Sequence, residues 1–186
     1  MRLFVAVNLP DLVRDNVWRI GSQIRDMRYP IRWVTVDAMH ITIKFLGEVP
    51  ADREDAITKS LEAAVAPVSP FDVRLDGFGA FPNSRRAKVI WVGCRASEPL
   101  KQLYTGVEDG LSELGFAREN RTFHPHVTLG RVRRDSSPSK LTGLSDVLES
   151  LDADAEFRVR SIELMQSELS PAGAKYSVRA SIGLSG

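Results

Sequence analysis

Two short elements carry reactive side chains at matched spacing: His40-Ile41-Thr42-Ile43 and His126-Val127-Thr128-Leu129. The 186 residues contain three histidines and seven threonines. Two of three histidines followed by threonine at i+2 would arise by accident at roughly half a percent. On a strand, i and i+2 share a face while i+1 and i+3 point to the other. His40 and Thr42 therefore face one way, backed by Ile41 and Ile43. His126 and Thr128 do the same over Val127 and Leu129. If the two faces oppose each other, two imidazoles and two hydroxyls converge. That set suits phosphodiester hydrolysis: a neutral imidazole takes a proton from water, and an imidazolium gives one to the departing oxygen. A histidine pKa near ~6.5 lets both forms coexist around neutrality, and each transfer is worth about 10²–10⁴ in rate. The threonine hydroxyls can donate to the non-bridging phosphate oxygens.

Each residue also has a plainer explanation. A single histidine is more often a satisfied core or interface residue, and threonine is common in strands. The pairing favours function. His124 precedes Pro125 and has no threonine at i+2, so it reads as a loop residue or as one that supports the site from behind. Lys44 shares the parity of His40 and Thr42 and is a candidate phosphate contact, or else a solvated strand-end lysine. Arg131 is out of phase with His126, but a bulge at Gly130 would return it to that face as a phosphate clamp. Phe45, Phe81 and Phe123 are candidate base-stacking residues, with core packing the better expectation for each.

The elements that must hold these side chains follow from periodicity. Leu3–Leu9 reads as a buried strand. Asp11 to about Met27 carries Leu12, Val13, Val17, Ile20 and Ile24 at helical spacing. A short strand is expected over Arg32–Val36, a stronger one over His40–Leu46, and a helix over Asp52–Ala66. Phe71–Phe81 and Lys88–Cys94 form a hairpin across Pro82–Arg86. A helix over Glu98–Leu114 stops at Gly115, and a strand runs from His126 to Val132. A short helix around Leu141–Leu151 leads to strands Phe157–Leu169 and Tyr176–Ile182, joined at Pro171-Ala172-Gly173. Mixed elements with hairpin joints imply an antiparallel-rich α+β architecture in one unit. The echo of a helix before each His-x-Thr strand implies a duplication facing itself across a cleft.

Composition limits the classes open to the chain. It is 43% hydrophobic and 26% charged, as expected for a globular protein and not a disordered one. No apolar run approaches the ~20 residues a membrane helix needs. The first ten residues read as a strand, not a signal peptide. A single cysteine, Cys94, allows no internal disulfide and fits a reducing cytoplasm. Three histidines and one cysteine without tight ligand spacing make a poor zinc site, and no Gly-x-x-x-x-Gly-Lys loop is present for ATP. Neither a metal nor another cofactor is expected. Net charge is +1, but Arg118, Arg121, Arg131, Arg133 and Arg134 face a single Glu119 in their segment. Such a bias would draw phosphates to one side, or else is only a solvated surface with uneven charges. No surplus amphipathic face suggests an interface, so a monomer is expected.

The chain resembles the 2H phosphoesterase superfamily, and within it the RNA 2′,3′-cyclic phosphodiesterases, historically called 2′-5′ RNA ligases. The resemblance runs nearly end to end. Arg2–Val7 looks like the family's opening strand, and His40–Val49 like its first motif. Phe123–Arg131 looks like the second, and Ser167–Tyr176 like the closing hairpin. It implies a bilobal, pseudo-twofold fold with antiparallel-rich sheets, flanking helices and a central cleft. The implied reaction is metal-independent hydrolysis of RNA or nucleoside 2′,3′-cyclic phosphate to a 2′-phosphate. By resemblance His40 protonates the leaving 3′ oxygen and His126 activates water; the near-equivalent motifs leave that direction open. Two rivals remain: a reversible 2′-5′ RNA ligase using the same pair, and a nucleotide- or RNA-binding module whose histidines only contact phosphate.

Overall fold

Strands rich in Val, Ile, Phe and Leu alternate here with amphipathic helices, and the observed elements follow that pattern. The computed structural model describes residues 1–170 and 173–185. The strands are β1 (Arg2–Asn8), β2 (Ile31–Trp33), β3 (His40–Glu48), β4 (Phe71–Phe81), β5 (Val89–Cys94), β6 (His126–Val132), β7 (Ala155–Val159), β8 (Ser161–Ser170) and β9 (Gly173–Gly183). The helices are α1 (Asp11–Ile20), α2 (Ser22–Asp26), α3 (Glu54–Val65), α4 (Glu98–Glu113) and α5 (Leu144–Ser150). Gly115, at φ +86°, ends the α4 segment in the left-handed conformation expected of it. The joint expected at Pro171-Ala172-Gly173 lies in part outside the described residues. Among the described residues no helix is long and apolar enough to cross a membrane.

The nine strands of the described residues join one antiparallel sheet in the order β7-β4-β5-β6-β3-β1-β8-β9, with β2 also paired to β6. A group of four strands and a group of five, counting β2, thus meet at β3 and β6, the strands carrying the two motifs. Their direct pairing is Ile41 with Val127. One face of the sheet carries the helices. Leu3, Val5, Val7, Ile41, Ile43, Ile90, Val92, Val127 and Leu129 point into it and form one core with Ile57, Leu61, Leu100, Leu103 and Leu144. The bilobal α+β fold is therefore the one implied by the resemblance.

Three elements differ from the expectation. The first helix breaks at Gly21 into α1 and α2, and the strand after it ends at Trp33, followed by a 3₁₀ turn at Val36–Ala38. The run Phe157–Leu169 is two strands, not one. β7 pairs with β4 at one flank, whereas β8 pairs with β1 near the other. Only Arg160 separates them, so the sheet must curl until its flanks approach there. Leu184 N–H donates to the Arg160 carbonyl at the same point, at 2.9 Å.

Candidate active site

The site is built where β3 and β6 cross. Antiparallel pairing of Ile41 with Val127 turns both of those side chains to the helix face. One residue to either side, the alternation sets His40 beside Thr128 and Thr42 beside His126 on the opposite face. The two motifs thus interlock crosswise, and all four sequence-identified side chains come together.

Both imidazoles are held the same way. His40 Nδ1 lies 2.8 Å from the Ala38 carbonyl, and His126 Nδ1 lies 2.8 Å from the His124 carbonyl. A carbonyl can only accept, so each Nδ1 donates and each Nε2 is left to the cleft. His124 supports the site through its backbone. His40 Nε2 accepts from the Thr42 hydroxyl at 3.1 Å. Aromatic rings flank each imidazole. Phe4 and Tyr176 lie 4.9 and 5.2 Å from His40, and Phe81 and Trp91 lie 5.0 and 6.4 Å from His126. Phe4, Ala6 and Met165, with Tyr176, form a small second core that floors the cleft on the β1 side.

This enclosure sets the charge states. Burial pushes His40 down to about 4, reinforced by the positive form of His126 nearby and opposed by the Ala38 carbonyl. Burial also lowers His126, aided by Arg131 and His124 and opposed by the His124 carbonyl. Both rings are neutral in the free protein at pH 7.

A matching irregularity follows each motif. Ile43 is skipped between the pairs Ala6–Thr42 and Val5–Lys44, and Leu129 between Trp91–Thr128 and Ile90–Gly130. Each bulge puts two successive residues on the helix face and returns the residue five after the histidine, Phe45 or Arg131, to the cleft. The sequence-suggested bulge at Gly130 is present, and Arg131 acts on His126 by its charge.

The equivalent bulge overturns the expectation for Lys44. Its side chain is turned away from His40 and Thr42 and is buried, with Nζ donating to Glu108 Oε2 at 2.7 Å and to the Ala117 carbonyl at 2.8 Å. It cannot meet a phosphate in the cleft. Phe45, expected in the core, is 69% exposed instead, with its ring 6.0 Å from Phe4. Phe81 packs between Trp91 and His126, and Phe123 stacks on Tyr104 at 4.1 Å. Sequence reasoning named Phe81 but missed the other three rings around the imidazoles, Phe4, Tyr176 and Trp91. Their signal was weak: one aromatic in each of three strands, recognisable only once the pairing is known.

Two interlocked His-x-Thr strands lie at the centre of the sheet, and a profile of the 2′-5′ RNA ligase superfamily matches residues 13–171. The chain belongs to the 2′-5′ RNA ligase superfamily. Among similar superfamily members are the RNA 2′,3′-cyclic phosphodiesterases of three archaea. The Methanothermobacter thermautotrophicus protein is 31% identical, with 95% of each chain covered. That of Methanocaldococcus jannaschii is 33% identical, with 96% of this chain and 98% of the relative covered. That of Archaeoglobus fulgidus is 34% identical, at 95% and 96%. A crystal structure of a Thermus thermophilus protein superposes with TM-score 0.84 at 28% identity, covering 100% of this chain and 99% of that one. Escherichia coli LigT complexed with 3′-AMP superposes with TM-score 0.77 at 26% identity, covering 98% and 97%.

Proposed function

We propose that this superfamily member opens RNA and nucleoside 2′,3′-cyclic phosphates to 2′-phosphates, with His40 and His126 as an acid–base pair and no metal. The observation that carries the reading is the crosswise pairing of two imidazoles, each anchored at Nδ1 with Nε2 directed to one cleft. Full-length relatives named RNA 2′,3′-cyclic phosphodiesterase support the substrate class.

The phosphate sits over the Ile41–Val127 crossing. His126 Nε2 removes a proton from water as its oxygen bonds to phosphorus. The bond from phosphorus to O3′ breaks, and His40 Nε2–H delivers a proton to O3′. The products are a 2′-phosphate and a 3′-hydroxyl. Both imidazoles start neutral, so His40 must gain its proton with the substrate, whose negative charge opposes the effect of burial. Once Nε2 is protonated it no longer accepts from Thr42, and that hydroxyl is released to donate to a phosphate oxygen together with Thr128. Arg131 offsets the anionic charge from the second lobe. The same two groups would serve joining, in which a 5′-hydroxyl replaces water as nucleophile while the bond to O3′ breaks. An assay with added 5′-hydroxyl RNA detects this as a 2′-5′ linked product.

The test is hydrolysis of 2′,3′-cyclic AMP in EDTA by wild type, His40→Ala and His126→Ala. Each variant is expected to lose at least about two orders of magnitude in kcat. Unchanged rates in either variant, or an inactive wild type, would remove the two-histidine reading and leave a binding module. The chain acts as one domain and as a monomer in this proposal. The solitary thiol of Cys94, half-buried, suits a cytoplasmic setting.

A further inference from the structure

We infer that the arginine row at the β2–β6 end of the cleft binds the RNA chain leading to the cyclic phosphate, making a polynucleotide end the preferred substrate. This rests on the cyclic-phosphate reading above. In the β2–β6 pairing Arg32 stands directly opposite Arg131. Gly130 shows which way they point. A Cβ there would meet Ile31 Cγ2 at 2.5 Å and Trp33 Cε3 at 3.1 Å, so Ile31, Gly130 and Trp33 occupy the helix face. Arg32 and Arg131, one residue out of phase, share the cleft face and are both exposed. Arg133 continues the row two residues on, its N–H donating to the Pro30 carbonyl at 2.8 Å.

Like charges directly opposed across two strands destabilise the pair unless something neutralises them. Nothing in the described residues does so. The arginine–carboxylate pairs found there involve Arg14, Arg74, Arg95, Arg118, Arg121, Arg158 and Arg179. Arg118 and Arg121, in the loop before β6, are already paired with Asp109 and Glu119. In the segment from Arg118 to Arg134, the arginines without a carboxylate partner among the described residues are thus Arg131, Arg133 and Arg134. The step from Arg131 to Arg133 spans roughly 7 Å of strand. Charges along a stacked nucleic-acid strand are about 3.4 Å apart, so the row outreaches a single phosphate. A cyclic mononucleotide has no further phosphate to offer it.

The experiment compares Arg32→Gln and Arg32→Lys with wild type on 2′,3′-cyclic AMP and on a short oligonucleotide ending in a 2′,3′-cyclic phosphate. Expected for Arg32→Gln is a roughly tenfold fall in kcat/KM on the oligonucleotide, carried by KM, with cyclic AMP changed less than about twofold. The slope of log kcat/KM against log salt should flatten by about 0.7 on the oligonucleotide, one phosphate contact on a single strand. Arg32→Lys should restore most of the loss. Equal losses on both substrates, or none on either, would overturn the inference while leaving the cyclic-phosphate reading intact. A wild type inactive on both would overturn both.

Discussion

At the scale of single residues, the site is governed by how far each imidazole is removed from water. Protonation of either ring must overcome burial, most of all at His40, held at about 4. An acid–base pair needs one ring protonated and one neutral, and kcat/KM reports the free enzyme. With both values lowered, the maximum of kcat/KM should fall below about pH 6.5. The kcat maximum should lie higher, because the bound phosphate's negative charge raises both rings. A rate profile from about pH 4 to 8 checks this; a kcat/KM optimum above neutrality would contradict it. The shared face of His40 with Thr42 and of His126 with Thr128 was legible because period-two alternation needs only local sequence. Lys44 was not, since the bulge at Ile43 carries no glycine to announce it. The Gly130 bulge in the other motif was the available signal. Carried across the echo onto the first motif, it would have turned Lys44 inward and Phe45 outward.

At the scale of elements, Lys44 binds three of them together. Its Nζ from β3 meets Glu108 on α4 and the Ala117 carbonyl in the loop leading to β6, while Glu108 Oε2 also accepts from the Glu119 N–H. The side chains are only 4% and 6% exposed, so neither charge can turn to water when the other is removed. Lys44→Met should cost about 3–5 kcal/mol, whereas Lys44→Met with Glu108→Leu should recover most of it. Urea midpoints of the three proteins measure this; a loss under about 1 kcal/mol in the single variant would refute the coupling. Helices and strands with strong periodicity were readable throughout. The β7–β8 boundary was not: Phe157–Leu169 has neither glycine nor proline, and its break is dictated by which distant strand each piece pairs with.

At the scale of the molecule, chain order and spatial order are interleaved. β4, from the first half of the sequence, pairs with β5 and β7, while β8, from the second, pairs with β1. Neither half of the chain can complete its own lobe, and one core runs behind both. Unfolding should therefore be a single transition, with far-UV and near-UV dichroism changing together in urea; two separated midpoints would show independent lobes. The pseudo-twofold relation was visible in the two motifs, but the interleaving was not, because it depends on pairings far apart in sequence. The paired bulges have one more consequence. A nearly symmetric centre would admit a small anion in either of two orientations, only one of them productive. The bulges present Phe45 at one end and Arg131 at the equivalent place on the other, so an aromatic surface opposes a cation. The ancestral degeneracy is broken at those two positions, and the cleft acquires a direction in which a nucleotide must be read.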